Sequence, residues 1–442
     1  MSTQLSELVS LISKATKVVE AKFAKSENPK IPSLDDTATH PFDDHSSMEM
    51  KEAVRIIEGA CAQLCATVAR PGHTILNRIF AIYEPACMNV VVNFKIPDLL
   101  VDKEMGVHVS ELSKLSGCEE GKLGRIMRLL ATQHCFREVK RDIFANNRLS
   151  ALLVSSNSLS DITVHLTGDM NKYASVLFDT LKDSDWGHSY ATNQTAFNMY
   201  SKYPGTIFDY YETPEGSGQR ERFGRVMPAW NNGTEASSVV HENPWHNLPK
   251  GATVCDVGGG IGHISVQLTN MYPDLKIVLQ DSPQTIQQAM ENFSKFCPKA
   301  IENQTVQFKA FDFFVEAPVP KCDVYFLKHI LHNWPDKECV TILKGIKSVM
   351  SPTSRVLIHE YILQHANKES GEAATELAPE PLLPNYGAGG IRRYNLDLDM
   401  MILFNSEQRH LEQFISLGEQ AGLKFVKVWD LKEMGLVEFA LA

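Results

Sequence analysis

The chain has 442 residues, 43% hydrophobic and 22% charged, enough for roughly two or three domains with sizeable cores. Its formal net charge of −10 argues against nucleic acid or an anionic membrane as the main partner. Nine cysteines are scattered without a C-x-x-C pair, which points to buried free thiols rather than zinc or disulfides. Glu7 comes early and no long apolar run follows it, so no secretory signal is expected. No stretch reads as long enough to cross a membrane, and the expected location is cytoplasmic.

Residues 3–23 place Leu5, Leu8, Leu11, Ile12 and Val19 near helical spacing. Residues 26–46 are rich in Pro, Asp, Ser and Thr and read as a linker, closing a first segment, 1–46. Met48–Val68 and Ala81–Leu100 read as long helices, the second ending near Pro97. Such leading helices need a surface to bury against, either their own domain or a second copy of the chain. From Val107 the pattern resembles a winged helix: helices over Val109–Ser116 and Glu119–Thr132, then a small β-wing over Phe136–Leu149. Lys122, Arg125 and Arg128 form no dense basic stripe, so a structural or dimerisation module (47–160) is favoured over DNA binding. Residues 161–243 read as a helical layer rich in aromatics. Most of these rings are core, but Met227, Trp230 and Asn231 are candidates for the wall of a substrate pocket.

The last segment, 244–442, alternates strands and helices. Strands are expected at Thr253–Asp256, Lys276–Gln280, Thr305–Lys309, Asp323–Leu327 and Arg355–Glu360, followed by a hairpin of Lys424–Trp429 and Val437–Leu441. The expected fold is therefore α/β, a parallel sheet covered on both faces and closed by an antiparallel hairpin. Residues 366–394 break the rhythm. A loop that long is a lid or an insertion without function, and the residues leave both open.

The chemistry concentrates after the strands, where ligands bind in such sheets. After the first come Asp256, Gly258, Gly260 and Gly262, a strand, tight turn and helix start suited to the polar part of a nucleotide-like cofactor. His263 stands where the third glycine of the dinucleotide pattern is required. Asp281, 25 residues beyond Asp256, suits ribose hydroxyls. Asp312 and Phe313 suit an adenine edge and face. Lys328 and His332 follow the fourth strand, Glu360 ends the fifth, and Glu407 stands near a late helix. One histidine and two glutamates at such positions suggest a general base held by carboxylates.

These motifs (V-C-D-V-G-G-G-I-G-H, L-Q-D-S-P, F-D-F-F, K-H-I-L-H-N-W-P-D, I-H-E-Y-I-L and S-E-Q-R with L-E-Q-F) resemble the class I S-adenosylmethionine-dependent O-methyltransferases of the caffeic acid/hydroxyindole type, in their fungal secondary-metabolism branch. The resemblance spans roughly residues 81–442. It implies a Rossmann-like seven-stranded sheet preceded by a winged-helix dimerisation domain, and a homodimer. It implies that Asp256 and the glycines line the methionine part of S-adenosyl-L-methionine, Asp281 the ribose, Asp312 and Phe313 the adenine, and Lys328 the polar end, with S-adenosyl-L-homocysteine as product and no metal. His332 matches the base that deprotonates a phenolic hydroxyl of a small aromatic secondary metabolite, with Glu360 and Glu407 matching the pair that orients it. Met401 joins the substrate-binding candidates.

Two departures stand out: Asn333 where the family carries Asp, and His410 where its late E-R-T motif carries Thr. One alternative is a relative that keeps the cofactor but catalyses a pericyclic or dehydration step. Another is a winged-helix regulatory protein.

Overall fold

The structure is a computed structural model that describes residues 3–44, 47–233, 239–241, 244–367 and 376–442. The backbone packs into two compact units: residues 1–182 with 196–235, and residues 183–195 with 236–442.

In the first unit, helix Gln4–Ala24 lies on helix Met48–Val68. Thr3 and Ser47 cap their N-termini, accepting from the backbone N–H of Ser6 and Met50. The 26–46 linker is anchored. His40 is buried in a ring cluster with Phe23 and Phe42, and Arg148 N–H donates to Leu34 O at 2.8 Å. The wing has three antiparallel strands: β1 (Val107–His108), β2 (Arg137–Lys140) and β3 (Ile143–Ala145), in the order β1-β3-β2. With helices Val109–Ser116 and Glu120–Thr132 it encloses Leu112, Leu123, Met127, Leu130, Phe136 and Phe144. The expected Ala81–Leu100 helix is two, Tyr83–Asn93 and Ile96–Leu99, because Lys95 between them takes a left-handed φ of 53°.

One stretch has the length and composition of a membrane span, although Arg78 and Glu84 interrupt it. Pro71–Asn93 is 23 residues long, and 18 consecutive residues within it reach a mean hydropathy of 1.3. Two helices cover it, Pro71–Phe80 and Tyr83–Asn93. Ile75, Leu76, Ile79 and Phe80 are all more than half exposed, an apolar stripe that calls for a cover.

The second unit is a seven-stranded sheet. Its strands are β4 (Thr253–Val257), β5 (Lys276–Asp281), β6 (Val306–Ala310), β7 (Val324–Lys328) and β8 (Arg355–Glu360), then β11 (Leu423–Asp430) and β12 (Gly435–Leu441). The order is β11-β12-β8-β7-β4-β5-β6, parallel except for β12, which runs antiparallel to both neighbours. A separate two-stranded pair joins β9 (Ile362–Leu363) to β10 (Arg409–His410) in parallel. The inner strands are apolar on both faces, as burial on both sides requires. Val254, Ile277, Val324, Phe326 and Leu357 pack to one side, and Cys255, Val257, Tyr325, Leu327, Val356 and Ile358 to the other. The chain builds outward from β4 to β6 and then returns to start β7 at the other flank of β4. That reversal opens a crevice at the carboxyl ends of β4 and β7.

The 366–394 segment is only partly a loop. Residues 368–375 lie outside the described residues, but Leu382, Asn385 and Tyr386 are buried and helix Ile391–Phe404 begins within it.

Helix Leu411–Ala421 packs so closely on β12 that a Cβ at Gly418 would stand 2.2 Å from the Phe439 ring. Gly418→Ala therefore pits a gain in helix propensity of about 1 kcal/mol against overpacking of a fully buried ring, typically ~1–3 kcal/mol. Net destabilisation is expected in urea unfolding; a stabilised variant would refute the packing.

Candidate active site

The glycine turn after β4 is a cradle. Gly260 has a φ of 59° and its Cβ position is open, with no heavy atom within 4 Å, so only a residue without a side chain leaves that space for a ligand. Gly262, at φ 80°, begins helix His263–Met271; a Cβ there would stand 2.7 Å from Leu279 and Phe293. The turn thus delivers a helix N-terminus beside an open backbone. Gly258 shares the left-handed turn at φ 72°.

Asp256 is 3% exposed and accepts from Ser265 Oγ at 2.6 Å. Burial pushes its carboxyl up to about 6, against the Ser265 bond and Lys328, which pull it down. Asp281 accepts from the N–H of Gly260 at 2.8 Å and of Ser282 at 2.7 Å, so it ties the cradle to the end of β5; burial raises it as well. Asp312 is exposed just past β6 and accepts from Phe314 N–H at 2.8 Å. Phe313 is half-buried beside Phe314 and Trp334, with ring centroids 4.8 and 5.9 Å away. Lys328 ends β7; burial draws it down to about 7 against the pull of Glu360 and Asp256. These residues fit a ligand with a cationic amine, a diol and a flat ring, as S-adenosylmethionine has.

His332 is 7% exposed, on the short turn Leu331–Asn333. Two buried charges hold that turn from opposite sides. Glu360 Oε1 accepts from the backbone N–H of Ile330 and Leu331 at 3.0 Å and of His332 at 3.4 Å. Arg409, 1% exposed, donates to Leu331 O at 2.9 Å and Trp334 O at 2.8 Å, and Asp336 accepts from it in turn. Ser406 Oγ adds a bond to Trp334 O at 2.8 Å.

Glu360 Oε2 is left facing the imidazole, 3.4 Å from His332 Nδ1. Burial pushes Glu360 up to about 7, offset by those backbone N–H groups and Arg409. Burial, Lys328 and Arg409 draw His332 down to about 3, so its ring is neutral, with one nitrogen open to a proton that it would hold only weakly.

Glu407 requires a correction. Its carboxylate accepts from Gln413 Nε2 at 2.9 Å and lies 4.0 Å from Arg409 Nε, away from His332. The late residue at the base is Gln408, whose Nε2 is 2.7 Å from His332 Nδ1. The short β9–β10 pairing and a bond from Gln408 N–H to Asp397 Oδ1 at 2.7 Å hold it there. His410, the Thr replacement, stacks on His365 at 3.9 Å. Asn333, the Asp replacement, donates to His329 O at 3.1 Å.

His329 is a second residue that sequence reasoning missed. It has a left-handed φ of 55° and stacks on His332 with centroids 4.9 Å apart at 20°. Donor atoms of His329, His332 and Glu360 lie within 4.8 Å of one another, but near-parallel rings send their in-plane lone pairs side by side rather than to one ion. Gln408 already engages His332 Nδ1.

Met401 is half-buried on helix Ile391–Phe404, which packs against the His332 turn. Met227 and Trp230 lie on helix Ser217–Gly233 of the first unit, Met227 exposed and Trp230 half-buried against the Ile162, Val226 and Ala229 cluster. The side chain of Asn231 lies outside the described residues. An open polar cavity of about 690 Å³ lies wholly in the first unit, beside Asp35, Asp36, Lys103 and Arg137, and contains none of the expected site residues.

Comparison with known proteins points the same way. Residues 191–424 match the O-methyltransferase domain model, and residues 76–156 match the O-methyltransferase dimerisation domain model. The chain is 43% identical over 441 residues to 3-O-methyltransferase 2 of Phanerochaete chrysosporium, covering 99% of this chain and 98% of that one. It is 34% identical to O-methyltransferase gedA of Aspergillus terreus, covering 89% and 87%. Among solved structures, OxaC in complex with SAH and oxaline matches with a TM-score of 0.71 at 19% identity, covering 100% of both chains. A structure described as a pericyclic reaction enzyme matches at 0.72 and 18%, covering 97% of this chain and 99% of that one. At such identities these two show the fold alone.

Asp256 makes a pH prediction. Its carboxyl is raised to about 6, so below that pH it takes up a proton and loses its attraction for a cationic amine. Affinity for S-adenosylhomocysteine should fall by up to about tenfold per pH unit below pH 6, measured by calorimetry between pH 5 and 8. Asp256→Asn should bind weakly with a flatter profile. If the variant keeps the wild-type slope, another group is responsible.

Proposed function

The chain belongs to the S-adenosylmethionine-dependent O-methyltransferases, and we propose that it methylates a phenolic hydroxyl of a small aromatic secondary metabolite, with His332 as general base. The observation that carries this reading is the neutral, buried imidazole of His332, held on a clamped turn at the carboxyl end of β7 beside the glycine cradle. S-adenosylmethionine supplies a methyl group activated on a sulfonium sulfur.

The chain's own residues supply the rest. When Nδ1–H donates, to the Glu360 carboxylate or to the Gln408 amide turned to present its oxygen, Nε2 is left bare to take the hydroxyl proton. Glu360, Arg409 and Ser406 hold the turn so that the ring needs no reorganisation when the acceptor arrives. Asp256, Gly260 and Asp281 hold the amine and ribose ends of the cofactor. The more acidic the hydroxyl, the more readily a positioned imidazole takes its proton.

The chain is also proposed to work as a homodimer. The match to a dimerisation domain over 76–156 and the exposed stripe Ile75, Leu76, Ile79 and Phe80 support a second copy as the cover. The winged helix is then a structural module; Arg128, one of its few basic side chains, is paired with Asp142 at 2.8 Å.

Methyl-labelled S-adenosylmethionine and a panel of phenols, followed by mass spectrometry, tests the reaction. His332→Ala should lower methyl transfer by ~10²–10⁴ while cofactor affinity stays within a few-fold. Full activity in that variant removes His332 from the chemistry. Label that stays on the cofactor with every acceptor, despite tight cofactor binding, would favour non-methylating chemistry. Ile79→Asp with Leu76→Asp should shift the mass in light scattering from dimer to monomer; an unchanged dimer moves the interface elsewhere.

A further inference from the structure

The nitrogen through which His332 is oriented meets an amide at its shortest contact. Gln408 Nε2 stands 2.7 Å from Nδ1, against 3.4 Å for Glu360 Oε2. The other acids nearby have different partners. Glu407 serves Gln413 and Arg409, Asp397 accepts the backbone N–H of Gln408, and Asp336 accepts from Arg409. Lys328 and Arg409 are the cations that act on the ring. The remaining titratable neighbours are histidines: His329 stacks on His332, and His359 precedes Glu360 on β8.

A carboxylate in the place of Gln408 would favour a proton on Nδ1 and stabilise the imidazolium once Nε2 had taken a second. A carboxamide fixes the plane of the ring but carries no charge, and by turning over it can donate or accept. It therefore orients the base without strengthening it. The two cations work against a protonated ring and in favour of an oxyanion beside it.

We infer that Gln408 is a specificity-determining positioning residue, and that the acceptors of this enzyme are phenols or enols made acidic by a conjugated electron-withdrawing group. The inference rests on the O-methyl transfer reading and names its substrate class. The hydroxyl proton leaves through His332 Nε2 to solvent. The oxygen then forms its bond to the methyl carbon as the carbon–sulfur bond breaks, and S-adenosylhomocysteine departs.

The test uses 4-nitrophenol, methyl 4-hydroxybenzoate, phenol and 4-methoxyphenol with the wild type and Gln408→Glu. Wild-type kcat/KM is expected to fall at least tenfold from the most to the least acidic acceptor. Gln408→Glu should shrink that ratio several-fold, chiefly through kcat on the weakly acidic phenols. A merely structural lesion would lower all four acceptors by one factor. Calorimetric affinity of the S-adenosylhomocysteine complex for the same phenols should follow the same order without any turnover. Methylation of all four phenols at equal efficiency by the wild type overturns the inference whether or not the variant folds. So does an unchanged ratio in a folded Gln408→Glu. If the binding order holds but no phenol is methylated, the methyl-transfer reading falls and the preference of the site for acidic hydroxyls stands.

Discussion

The site depends on one carboxylate accepting several backbone N–H groups. Glu360 leaves the end of β8 with no exposed surface and receives the N–H groups of Ile330, Leu331 and His332 on a single oxygen. Those donors would otherwise stand unsatisfied at the start of a buried turn. The same side chain builds the turn and faces the imidazole that the turn carries, so backbone geometry and ring environment share one cause. Arg409 completes the clamp on the carbonyl side. A buried arginine and a buried glutamate each carry a large desolvation cost, offset here by dense hydrogen bonding to the main chain.

Much of the fold was legible in the sequence, because a sheet buried on both faces writes itself as short apolar runs. All seven strands of the main sheet fall where those runs stand, with ends displaced by at most two residues. The first unit was harder to read. The 26–46 segment has linker composition but is held by His40 and by the Leu34–Arg148 bond, contacts remote in sequence that composition does not report. Lys95 interrupts a helix with a left-handed residue that no propensity demands. The helix Pro71–Phe80, which carries the stripe around Ile79, falls between the runs read as helices, and periodicity does not say what covers an apolar face.

The cofactor side of the site was legible because its residues follow strand ends, and a strand end is a position that sequence can find. The late orienting residue was missed by one position. His410 takes the place of Thr in the E-R-T motif, so counting back along Gln408–Arg409–His410 puts the glutamate of that motif at Gln408. The acid at 407 drew the assignment because a carboxylate was being sought. The structure resolves the register through β10. Pairing with β9 buries Gln408 and Arg409, while Glu407 remains partly exposed beside Gln413. His329 escaped notice for a related reason: its role comes from a left-handed backbone and a stacked neighbour, neither of which has a signature at the level of residue type.

The two halves of the crevice are electrically joined by Lys328. Its ammonium sits between the fields of Asp256 and Glu360, and all three are shifted by burial toward their neutral forms, the lysine downward and the acids upward. The charged form of Asp256 is held first by the Ser265 bond and that of Glu360 by the backbone N–H groups and Arg409, with Lys328 adding to both. A cationic ligand arriving at the cradle would favour the ionised state of Asp256. Through Lys328 the charge of Asp256 at the cradle and that of Glu360 beside His332 are linked. Coupling of this kind needs no conformational change, only buried groups whose protonation states depend on one another.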